Sequence, residues 1–157
     1  LEPVFGSIDA YVPIVEAAVA KVTAATGQAP LVVCHSMGGL ATRAWLRSGD
    51  NDQRVFRVVT IGSPHHGTWL GRFSSVTNGS QMRQGSAWLR QLQSAEPPQR
   101  YTRFICWYSN CDNIAFPTST GALPGADNRL MRGIAHVSLG FDAHVVQSTL
   151  DLLDAAG

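Results

Sequence analysis

The run Leu31-Val32-Val33-Cys34-His35, followed at once by Ser36-Met37-Gly38-Gly39-Leu40, constrains this chain more than any other feature. A short β-branched run without polar alternation suits a strand covered on both faces in a parallel sheet. A helical pattern begins within three residues, with Leu40, Ala44 and Trp45 on one stripe and Arg43 and Arg47 outward, and it stops in Ser48-Gly49-Asp50-Asn51-Asp52. So sharp a turn brings strand and helix backbones together, and the residues two places on either side of Ser36 must be small. Gly38 meets that demand on the helix side and Cys34 on the strand side. A serine at the tip of such a turn has strained backbone angles. It also stands at a helix N-terminus, where the Met37 N–H can stabilise an oxyanion. The plainer reading is a serine N-cap ahead of Gly-Gly.

Strand and helix patterns then alternate along the chain. Residues 11–26 carry Tyr11, Val15, Ala18, Val19 and Val22 at helical spacing, halted by Gly27 and Pro30. Val55–Ile61 and Phe104–Tyr108 read as strands, and Leu130–Ala135 as a weaker fourth. Ser86 caps a helix over Ala87–Ser94 that ends before Pro97-Pro98. Val145–Ala155 forms a closing helix with Val146, Leu150 and Leu153 inward. This rhythm predicts a single α/β domain over residues 1–157, a mostly parallel sheet flanked by helices. At 157 residues and 45% hydrophobic, the chain can hold a core without disulfides or a structural metal. Its longest connection between strands is His65–Pro98, polar and Gly/Ser-containing from Ser74 to Ser86, the size of a small lid or cap.

Several function classes are disfavoured. Twelve basic against eleven acidic residues leave a formal charge of +1 with no like-charge run, so no nucleic acid partner is expected. No stretch reaches the roughly 18 apolar residues of a membrane span. Cys34, Cys106 and Cys111 are too few for a disulfide scaffold and lack zinc-site spacing; reduced core cysteines are expected, a Cys106–Cys111 pair being the alternative in an oxidising compartment. His65 and His66 are adjacent but have no third ligand at a convincing spacing, so neither metal nor cofactor is expected. The chain starts at Leu1 in mid-phrase, which leaves localisation open.

A serine hydroxyl needs a histidine to take its proton, and the histidine needs a carboxylate to set its tautomer. After the third strand, Ser109-Asn110-Cys111-Asp112-Asn113 puts Asp112 in a loop at a strand's carboxyl edge. After the fourth, Gly133-Ile134-Ala135-His136-Val137 puts His136 at the same edge. Ligand-contacting residues of open parallel sheets gather there. His144, beside Asp142, is a rival base better read as a surface residue. His35 reads as a hydrogen-bonded structural group, and Asp127 in Pro124-Gly125-Ala126-Asp127-Asn128 as turn chemistry.

These residues resemble the α/β-hydrolase superfamily, and within it the bacterial lipases and esterases. The likeness is carried by V-V-C-H-S-M-G-G-L at 32–40, V-T-I-G-S-P-H-H-G-T at 59–68, S-N-C-D-N-I-A-F-P at 109–117 and G-I-A-H-V at 133–137. It implies an α/β-hydrolase fold with Ser36 as nucleophile, His136 as general base and acid, Asp112 as orienting carboxylate and the Met37 amide as half of an oxyanion hole. It places Ser63–Thr68, including His65, beside the pocket; Trp69 and Leu70, which follow that loop, are candidate acyl-site residues, with ordinary core packing as the alternative. The implied activity is a serine carboxylic-ester hydrolase acting through an acyl-enzyme on a small-molecule ester or lipid; the modest His65–Pro98 connection, a small lid or none, suggests a short or medium acyl chain. Acyl transfer or thioester cleavage is the same-site alternative. The superfamily's second oxyanion amide comes from a loop after an earlier strand, typically marked His-Gly, and no such motif precedes Leu31. The expectation is therefore a fold truncated or minimal at its N-terminus, Leu1–Phe5 being the end of a preceding strand and its loop. The first strand would then be an open edge, pairing with a second copy or with an N-terminal remainder of the chain. A non-catalytic domain that pairs through this edge is the alternative of another class.

Overall fold

The computed structural model describes residues 4–154, so Ala155 of the expected closing helix and residues 1–3 of the expected N-terminal strand lie outside it. Four strands form one sheet: β1 (Leu31–His35), β2 (Arg57–Ile61), β3 (Phe104–Ser109) and β4 (Asp127–Met131). They lie side by side in chain order and every pairing is parallel. The helices are α1 (Val12–Thr26), α2 (Gly38–Arg47), α3 (Thr77–Gln81), α4 (Ala87–Ser94), α5 (His136–Leu139) and α6 (Ala143–Asp154), with a 3-10 turn at Ile8–Tyr11 leading into α1. Val4 and Phe5 are exposed and in a turn.

The alternation of side chains across the pleat sorts the core into two layers. Val58, Phe104 and Cys106 face Val19 of α1 and Trp45 and Leu46 of α2. Val59, Ile61, Ile105 and Trp107 face Leu139 of α5 and Val145 of α6. A third cluster, Ile8, Tyr11, Leu40, Ala41, Leu89 and Leu92, joins α2 to α4 and the N-terminal turn. The His65–Pro98 connection is thus largely short helical turns, and α4 anchors it with Leu89 and Leu92.

Five local expectations are corrected. β1 is not covered on both faces: Val33, paired with Val59 on the side of α5 and α6, is 51% exposed, and on the opposite side an apolar groove of about 450 Å³ opens between β1 and Val15, Val19 and Val22 of α1. Arg43 points inward at 1% exposure, since Glu96 and Tyr101 meet its guanidinium inside the core. The fourth strand begins at Asp127 and ends at Met131, so Asp127 is a strand residue; parallel pairing with Ile105 extends the strand upstream of its apolar part. In α6 the buried side chains are Val145 and Thr149, with Leu152 against them, while Val146, Leu150 and Leu153 are exposed. Two stripes one residue apart both satisfy helical spacing here, and docking on Trp107 and Ile61 selects the first. The three cysteines are free, but only Cys34 and Cys106 are core residues, and Cys111 is exposed. Burial pushes the two core thiols up to about 11, so they stay protonated at neutral pH.

Candidate active site

Ser36, Gly62, Asp112 and His136 lie on the connections that leave the carboxyl ends of β1 to β4, so the parallel sheet delivers them to one edge. Ser36 is the one non-glycine residue with positive φ (54°) among the described residues. An L-residue is strained there, and two contacts hold it: the Ser36 N–H donates to the Ile61 carbonyl at 2.9 Å, and α2 starts two residues later. Cβ atoms at positions 34 and 38 face each other as the turn requires, at 3.5 Å for one built on Gly38. The tighter approach is at Gly39, where a Cβ would sit 2.3 Å from Ser63 Oγ.

The hydroxyl turned outward by this strain is 2.9 Å from His136 Nε2, and His136 Nδ1 is 2.8 Å from Asp112 Oδ2. Asp112 Oδ1 accepts from the Ile114 and Ala115 amides at 2.8 and 2.7 Å, which aims Oδ2 at the ring. Burial alone would raise the Asp112 pKa. The hydrogen bonds from His136, Ile114 and Ala115 outweigh it and hold the carboxyl below its ordinary value. An ionised carboxylate can only accept, so Nδ1 carries the proton and Nε2 is left to accept from the serine hydroxyl. The Met37 amide precedes the first intrahelical bond of α2 and is one of that helix's unpaired leading donors.

Three neighbours that the sequence did not single out as site residues complete the arrangement. Gly62 (φ +60°) lies against the ring and its carboxylate, because a Cβ there would sit 3.1 Å from His136 Nδ1 and 3.3 Å from Asp112 Oδ2. Its only signal was a glycine at the end of an apolar strand. Asn113 Oδ1 accepts from the His136 N–H at 3.4 Å. Arg43 donates to the His65 carbonyl at 2.7 Å while bound to Glu96, and so ties the Ser63–Gly67 loop to α2. An arginine inside a helix carries no sign of which way it faces.

The remaining candidates are placed as follows. His35 is exposed and makes the expected hydrogen bond, its Nε2 3.2 Å from the His136 carbonyl and its ring 4.8 Å from the His136 ring. His65 is enclosed, with Nε2 3.0 Å from Thr60 Oγ1 and its ring edge-on to Phe104; burial first, then Arg43, holds its pKa well below the ordinary value, so it is neutral. His66 reaches the Ala122 carbonyl through Nε2. Trp69 and Leu70 are exposed on a 3-10 turn, Trp69–Phe73, whose Trp69 N–H donates to the Phe116 carbonyl. His144 is exposed and edge-on to Trp107. Among the described residues no group of three or more His, Cys, Asp or Glu is arranged to hold a metal ion, and no helix is long and apolar enough to cross a membrane.

No family model matches the sequence. Among solved structures, the mature form of a Bacillus licheniformis lipase superposes with a TM-score of 0.78 over 95% of this chain and 75% of its own, at 16% identity. The chain has the α/β-hydrolase fold. The propeptide form of the same lipase gives 0.75 at 18% identity, over 93% of this chain and 41% of its own. Lipase B of Aspergillus fumigatus gives 0.71 at 21% identity, over 80% and 34%. The chain therefore spans three quarters of the mature Bacillus lipase and about a third of the fungal one.

Proposed function

We propose that the protein is a serine carboxylic-ester hydrolase. The observation that carries this reading is the continuous relay from Ser36 Oγ through both ring nitrogens of His136 to Asp112, with Ser36 strained at the head of α2. Ser36 Oγ attacks the ester carbonyl carbon as its proton passes to His136 Nε2, and Asp112 stabilises the resulting imidazolium. The tetrahedral oxyanion faces the Met37 N–H and the positive end of α2. Collapse breaks the bond to the alcohol oxygen, which leaves with the proton from Nε2, and the acyl group stays on Ser36. Water, deprotonated by the same Nε2, then releases the acid and restores the hydroxyl. None of these steps requires a metal or a redox cofactor.

The lipase neighbours support ester chemistry over other serine chemistry, and the substrate class proposed is a small-molecule or lipid ester. Acyl transfer or thioester cleavage would use the same relay with a different acceptor or leaving group. The open side of β1 favours a second reading for the rest of the surface, in which a second copy or another segment of the same protein pairs with that strand. The deciding assay is turnover of p-nitrophenyl acetate and butyrate by the protein and by Ser36→Ala. The variant is expected to fall to the uncatalysed background; equal rates in the two proteins reject the hydrolase reading.

A further inference from the structure

The sequence from Gln53 to Ala95 holds Arg54, Arg57, Arg72, Arg83 and Arg90 and no aspartate or glutamate. Within it, the 3-10 turn Trp69–Phe73 exposes three large apolar side chains in five residues, Trp69 at 45%, Leu70 at 42% and Phe73 at 72%. The Trp69 and Phe73 rings pack edge to face with centroids 5.1 Å apart, so both stand on one side of the turn. The turn is fastened to the loop that follows Asp112. Thr68 Oγ1 donates to the Ile114 carbonyl and the Trp69 N–H to the Phe116 carbonyl, which brings the exposed Ile114 and Phe116 alongside. Arg72 lies within the turn. Arg83 is bridged to Thr68 and sends its Nε to the Gly71 carbonyl at 3.4 Å. Neither arginine has a carboxylate partner among the described residues.

We infer that this face docks on an anionic lipid surface. Aromatic side chains with an apolar body settle at the headgroup level of a bilayer, and unpaired arginines beside them meet lipid phosphates. A protein partner would have to supply the missing carboxylates, whereas an anionic bilayer supplies negative charge at every position of the face. The neighbouring loop is the one whose amides hold Asp112, so docking brings the lipid surface to the side of the molecule that carries Ser36 and His136. The inference does not depend on the ester chemistry.

The test uses Ser36→Ala protein, so that lipid cleavage cannot confuse the readout, cosedimented with vesicles of phosphatidylcholine alone or mixed with phosphatidylglycerol. Binding is expected to the mixed vesicles only, and to be lost at about 0.5 M salt. Adding Arg72→Gln should weaken partitioning roughly fivefold, and Phe73→Ser roughly tenfold or more. Both side chains are exposed, so unchanged thermal melting checks that the variants fold. No binding, equal binding to both vesicle types, or variants that bind like their parent would overturn the inference. A vesicle-free dimer that Phe73→Ser converts to monomer would also overturn it, by assigning the face to a second copy.

Discussion

Ser36 and Gly62 take up left-handed backbone angles at the ends of adjacent strands for different reasons. At Ser36 the strain aims a hydroxyl, and neighbouring hydrogen bonds hold an L-residue where it would not otherwise stay. At Gly62 it leaves room, since any Cβ would press on the His136 ring and the Asp112 carboxylate together. Gly62→Ala is therefore expected to fold but to misplace the relay by several tenths of an ångström. On the hydrolase reading, kcat for p-nitrophenyl butyrate should fall on the order of a hundredfold; turnover at the parental rate would show that the ring tolerates the methyl group. Ser36, Asp112 and His136 were legible as residues because each follows an apolar strand pattern in a fixed order. Gly62 was not, because what makes it necessary is a ring contributed from 74 residues further along the chain.

Among the elements, α2 does more than present the Ser36 turn. Its Arg43 is buried with Glu96 and Tyr101, which follow α4, and its guanidinium also reaches the loop after β2, so one side chain ties α2 to two connections. Burial disfavours the charge on Arg43, and Glu96 outweighs it and raises the pKa further. Replacing one partner of such a pair strands the other in the core. Arg43→Met should destabilise the fold by about 3–5 kcal/mol, read by urea denaturation, and the loss should shrink when Glu96→Gln is added. A loss of less than about 1 kcal/mol would place the pair among weak surface bridges. β1 to β3 and the longer helices were readable from periodicity, whereas α3, α5 and the bounds of β4 were not, and the remaining errors fell on faces. The stripe of α6 and the direction of Arg43 are both degenerate in one dimension, because helical spacing permits two registers and an arginine suits either side.

For the whole molecule, carboxylates with lowered pKa values link stability to pH. Asp112 is held down by the hydrogen bonds that outweigh its burial, and Glu16 is lowered from 4.5 to about 2 by Arg54 first and then the Trp45 indole. Groups depressed in the folded state add stability above their unfolded pKa values, and that contribution disappears as pH falls toward the folded ones. Thermal stability should therefore drop between roughly pH 4.5 and 2. Glu16→Gln should melt below the parent at pH 6 and converge with it near pH 2; a gap of constant size would remove Glu16 from the acid response. The sequence by itself determined the alternation of strands and helices, the strained turn at Ser36, and the order of Ser36, Asp112 and His136, because these depend on local periodicity and turn chemistry. Tertiary structure decided which face of each helix is buried, that β4 begins upstream of its apolar part, and that Gly62, Asn113 and His35 surround the histidine. Those outcomes rest on contacts between residues far apart in sequence, whose energies depend on shape and desolvation when the layers close.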